Sequence, residues 1–87
     1  MMAMPITFEE LQALARVMLE RPIAFTVEDF VKKVEEWVNG QPEQLKNSYI
    51  GFFGSSGGRM VKRSELPKVL REDPDFREKF IRFLAGR

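Results

Sequence analysis

Neither cysteine nor histidine occurs anywhere in the 87 residues, and that pair of absences excludes a great deal of chemistry. Without them no disulfide framework, zinc finger, thiolate nucleophile, or Ser-His or Cys-His pair can be assembled. Long apolar runs are missing too. No stretch approaches the roughly 18 apolar residues that a membrane-spanning helix needs. The opening MMAMPITFEE carries neither a basic n-region nor an apolar h-region, so a secretory signal is not expected and the first four or five residues read as a frayed terminus. Zero cysteine fits a cytoplasmic setting.

What is present suits one small folded domain over residues 1–87. Hydrophobic residues make up 44% of the chain, eight of them Phe, which is ample for a compact core and argues against disorder. The net charge of +1 hides a division. Up to residue 45, four Lys or Arg stand against eight Asp or Glu; from residue 46 onward, ten stand against five. Such a split hints at a basic face for an anionic partner, although small domains also segregate charge on solvated surfaces.

Helix signals are frequent. In ITFEEL, Thr7 can cap, Glu10 takes the capping-box position and Ile6 can staple onto Leu11. Phe8, Leu11, Leu14, Ala15 and Met18 continue a 3.6-residue stripe, which Pro22 should end near Glu20. FTVEDF repeats the device, with Thr26 as cap, Asp29 three residues on, and Phe25 stapled to Phe30. Its stripe is Val27, Phe30, Val31, Val34, Trp37 and Val38, stopping at Asn39-Gly40, with Glu28 and Lys32 as an outer i,i+4 pair. A third helix is expected to open at Pro42. Leu45, Tyr49, Phe52 and Phe53 would form its buried stripe, with Gln44, Lys46, Asn47 and Ser48 outward. Tyr49 to Phe53 read equally well as extended chain.

GSSGG then breaks regular structure, and RMVKR alternates enough for a short strand. Ser64 is expected to cap a fourth helix over Glu65 to Arg71, with Pro67 in its first turn. Asp73-Pro74 opens a fifth, whose stripe is Phe76, Phe80, Phe83 and Leu84, closed by Gly86.

Catalytic readings are weak. Gly51, Gly54, Gly57 and Gly58 suggest a phosphate cradle, but a Walker motif needs Gly-Lys followed by Ser or Thr, and here Gly58 precedes Arg59 and Met60. The neighbouring carboxylates Glu9/Glu10, Glu28/Asp29, Glu35/Glu36 and Glu72/Asp73 sit where caps and solvent faces place them. No catalytic residue, metal site or cofactor is expected, and the protein reads as a non-enzyme.

The stronger constellation is architectural. Two helices joined by the tight turn VNGQP, then IGFF and RMVKR joined by GSSGG, give an order that resembles the winged helix-turn-helix superfamily over about residues 7–63, with residues 64–87 as two added helices. PIAF, between the first two helices, is where that pattern would have a short strand. The resemblance implies a mainly α domain with a short β-hairpin that binds double-stranded DNA and regulates transcription or replication, commonly as a dimer. It implies roles as well. The third helix would enter the major groove, with Gln44 and Asn47 on adenine edges and Lys46 on guanine or phosphate. Ser55, Ser56 and the backbone amides of Gly57 and Gly58 would donate to phosphate oxygens, and Arg59, Lys62 and Arg63 would supply the electrostatic attraction. Each of these residues also suits an ordinary solvated surface.

The competing class is a protein-interaction adaptor or dimerisation module. Eight Phe and Trp37 exceed what so small a core readily hides, since a domain of this size buries about 60–65% of its unfolded surface. An uncovered patch around Phe76, Phe80 and Phe83 would then bind a protein partner or a second copy.

Overall fold

The computed structural model describes residues 6–21, 26–54 and 57–86. Among them lie five α-helices and one hairpin: α1 (Phe8–Glu20), α2 (Val27–Asn39), α3 (Glu43–Lys46), β1 (Tyr49–Gly54), β2 (Gly57–Lys62), α4 (Leu66–Glu72) and α5 (Pro74–Ala85). A 3-10 turn at Arg63–Glu65 joins β2 to α4. The chain is thus a mainly helical domain with a two-stranded antiparallel hairpin inserted between its helices.

The capping boxes form. Thr7 Oγ1 accepts the Glu10 N–H at 3.1 Å while the Glu10 carboxylate accepts the Thr7 N–H at 3.3 Å. Thr26 and Asp29 make the same exchange at 3.1 and 3.4 Å. Each exchange satisfies donors that a helix start leaves orphaned. Asp73 caps α5 by accepting the Phe76 N–H, and Pro74 occupies the first turn. At the other end Gly86 adopts φ +77°, the left-handed geometry that a residue with a Cβ rarely takes.

Helix α1 packs mainly on α5, and α2 on α4. Leu11 and Ala15, Phe30, Val31, Val34, Trp37 and Val38, Leu66, Val69 and Leu70, and Phe76, Phe80, Ile81, Leu84 and Ala85 bury one shared core, closed by Val61 from the hairpin. Phe30 meets Phe80 edge-on with ring centroids 6.3 Å apart, the arrangement that the ring quadrupoles favour. Ile6 packs against the same core; Phe25, its counterpart before α2, and the PIAF segment lie outside the described residues.

Several expectations are corrected. The third helix is a single turn whose cap is Pro42, and Tyr49 onward is extended because Gly51 and the aromatics find ladder partners in β2. Ser64 does not cap α4. It sits within the 3-10 turn, and Glu65 precedes the helix without a side-chain cap. Glu28 does not close on Lys32 across one turn. It receives the Arg71 guanidinium from α4 at 2.9 Å, and Arg71 reaches Glu35 as well, so one guanidinium ties α4 to α2. On α5 the buried side includes Ile81 and Ala85, while Phe83 stays 57% exposed.

Candidate functional site

The hairpin is the feature most unlike the helices around it. Its register pairs Tyr49 with Lys62, Ile50 with Val61, Gly51 with Met60 and Phe52 with Arg59. Side chains alternate across a strand, so Ile50, Phe52, Arg59 and Val61 share one face and Tyr49, Gly51, Met60 and Lys62 the other. The first face is docked. Phe52 packs edge-on against Phe76, Phe80 and Phe83 at 5.3, 6.3 and 5.5 Å. Arg59 reaches Asp73 at 2.8 Å.

That ion pair forms the wall of a small cleft, about 170 Å³, lined by Phe52, Gly58, Arg59, Asp73, Asp75, Phe76 and Lys79. The Phe76 N–H, and after it Arg59, hold the Asp73 carboxyl below its ordinary range, against the opposing pull of desolvation. Lys79 pairs with Asp75 at 3.0 Å. Charges in the cleft therefore balance within the chain, and it presents no surplus field to an ion.

The second face is open. Tyr49 and Met60 are each 56% exposed. Met60 covers Gly51 so closely that a Cβ built there would collide with its Sδ. Lys62 lies at the edge of this face, beside Tyr49. An exposed face carrying a phenol and a thioether can bury apolar area while the phenol hydroxyl stays hydrogen-bonded.

Of the described residues expected to contact DNA, several are already engaged within the chain. Gln44 and Asn47 are exposed on or beside the one-turn α3, and Lys46 is half-buried with its ammonium 3.5 Å from Glu43. Ser55 and Ser56 lie outside the described residues. Gly57 pairs with Gly54 in the ladder and Gly58 continues the same strand. Arg59 is engaged with Asp73 on the docked face. Arg63 leaves the strand and lies over the Trp37 ring, 5.4 Å from its centroid, its Nε buried without a hydrogen-bond acceptor. Lys62 alone of the three points with the open face.

The adaptor patch is corrected in turn. Phe76 and Phe80 are 3% and 1% exposed, because hairpin residue Phe52 and helix α2 cover them. Only Phe83 of that trio reaches solvent. No family model, curated protein or solved structure matches the chain.

Tyr49, expected in a buried helical stripe, is instead exposed on a strand, and Met60 carried no assigned role, though a signal for both existed. Once 49–54 and 57–62 are taken as strands, parity alone sends Ile50, Phe52 and Val61 one way and Tyr49, Met60 and Lys62 the other. The Arg71 bridge to Glu28 and Glu35 had no such signal, since its partners stand 43 and 36 residues away.

Proposed function

We propose that this chain is a non-catalytic protein-interaction module whose binding face is the open side of the β1–β2 hairpin. The observation that carries the reading is a contrast within one segment. The hairpin's aromatic Phe52 and cation Arg59 are used internally, whereas Tyr49 and Met60 are left exposed on the opposite face. Aromatic and Met side chains with few charges are the composition that interface centres favour.

The test is site-specific photo-crosslinking. A benzophenone residue at Met60 should give discrete, identifiable protein adducts in an extract of the source cells. The same group at Lys32, on the exposed side of α2, should not. Equal labelling from both positions would sink the reading.

Duplex DNA binding in transcriptional or replication control stands as the second reading, for a specific reason. The Arg63 N–H donates to the Ser48 carbonyl at 2.9 Å. This bond holds the Gln44–Asn47 segment beside the hairpin base, close to Lys62. Against it stand the length of α3, a single turn, and the internal pairing of Arg59 and Lys46. A recognition helix needs several residues along a groove. Random duplex titrated at low salt is expected to show no retardation. Retardation that weakens with salt and is lost in Lys62→Gln would favour DNA over a protein partner.

A further inference from the structure

The hairpin has two free edges, and they are not alike. Opposed residues in an antiparallel pair alternate between those that exchange hydrogen bonds and those that do not. The bond from the Arg63 N–H to the Ser48 carbonyl sets the phase. Ile50 with Val61 and Phe52 with Arg59 are then exchanging pairs, whereas Tyr49, Gly51 and residue 53 aim their backbone groups away from β2. Among the described residues no hydrogen bond from outside the hairpin reaches the N–H or C=O of Tyr49 or Gly51. The close approach of Met60 to Gly51 agrees with this phase, because non-exchanging pairs bring side chains nearer.

The β2 edge carries Arg59 and Lys62, charges of the kind that discourage strand addition. The β1 edge, YIGFFG, carries neither charge nor proline. An unpaired, uncharged strand edge is a template for another strand. We propose that the occupant of the β1 edge is β1 of a second copy, paired antiparallel about a two-fold axis at Gly51. The proposal rests on the reading of the hairpin as a protein-binding face and names its partner.

Self-pairing is favoured by symmetry and charge. Centred on Gly51, the register sets Gly51 opposite Gly51 and Tyr49 opposite residue 53, so the outward groups of each copy meet those of the other in about six hydrogen bonds. The two β2 strands become the outer strands of a four-stranded sheet. Three strand spacings, about 14 Å, then separate the Lys62 rows, beyond the Debye length of about 8 Å at physiological salt. The alternative, β2 against β2, would bring the Arg59 and Lys62 of both copies onto adjacent strands. Pairing through β1 also merges the Tyr49 and Met60 surfaces of both copies into one apolar strip.

Sedimentation velocity across a concentration series reaching about 1 mM tests this. The mass of wild type is expected to climb from one chain, 10.1 kDa, toward two. Gly51→Lys sets two ammonium groups face to face at the axis and should hold the chain monomeric; Gly51→Glu should do the same. The exposed, flexible Met60 side chain can swing aside for either. An equimolar mixture of the two variants should restore the dimer, which a merely unfolded variant cannot do. Amide exchange on wild type needs no variant at all. Protection of the Tyr49 and Gly51 N–H groups should rise with concentration while that of α2 stays constant. A mass fixed at one chain, protection independent of concentration, or a dimer that survives both substitutions would overturn the proposal. Should wild type stay monomeric while benzophenone at Met60 captures a different protein, self-pairing falls and the interaction reading stands. If neither occurs, both fall.

Discussion

Asp73 accepts the Phe76 N–H as the cap of α5 and also receives Arg59 from the hairpin. Its carboxyl is therefore held low first by the backbone donor and then by the guanidinium. The Arg71 hydrogen bond lowers Glu28 and the Thr26 contacts lower Asp29. A carboxyl whose pKa is depressed on folding adds stability that is complete above its unfolded pKa and disappears as pH falls through the folded one. Acid destabilisation should thus begin below about pH 4 and continue downward. Thermal melts from pH 7 to pH 2 check it. Asp73→Asn keeps a capping oxygen but no charge, so its midpoint should sit below wild type at pH 7 and converge toward it at pH 2. Parallel curves would show that the ionised form of Asp73 adds nothing. Arg63 differs: it has no acid partner among the described residues and settles over Trp37.

At the scale of elements, the hairpin is attached by few contacts. Val61, buried in the core, and Phe52, ringed by Phe76, Phe80 and Phe83, are its apolar anchors, and Arg59 with Asp73 is its polar one. Two-stranded ribbons are marginal alone, so docking keeps this one folded. Phe52→Ala should cost about 2 kcal/mol, less than the roughly 3–5 for a fully buried ring, because Phe52 is half-buried. Urea titration reads the loss. Hydrogen exchange should show hairpin amides accelerating more than those of α2, and a uniform acceleration would mean that the hairpin and helices open as one unit. The strand assignment was half legible. Tyr49 to Phe53 satisfied both a helical stripe and an extended run, and only pairing with Gly57–Lys62 chose between them.

Across the whole molecule, one guanidinium joins the acidic and the basic halves of the chain, while the ion pairs of Arg59, Lys79 and Arg82 close within the second half. The basic second half lends Arg71 to Glu28 and Glu35 of the acidic first half. Arg59, Lys79 and Arg82 find Asp73, Asp75 and Glu78. The core is more decisive for stability: Phe30, fully buried between α2 and α5, should lose about 3–5 kcal/mol as Phe30→Ala. Against a total of about 4–13 kcal/mol for a domain of this length, that change should lower the calorimetric midpoint steeply. Among the described residues no helix is long and apolar enough to cross a membrane.

Local patterning was enough to specify the starts of α1, α2 and α5, the left-handed close at Gly86 and most of the buried stripes. Capping boxes, Pro-Gly punctuation and helical periodicity are local, acting over three or four residues. Packing between segments set which cations are already paired, that α3 is a single turn, and that Phe76 and Phe80 are covered while Tyr49 and Met60 are not. Those outcomes depend on contacts between distant segments, and short-range patterning contains no term for them.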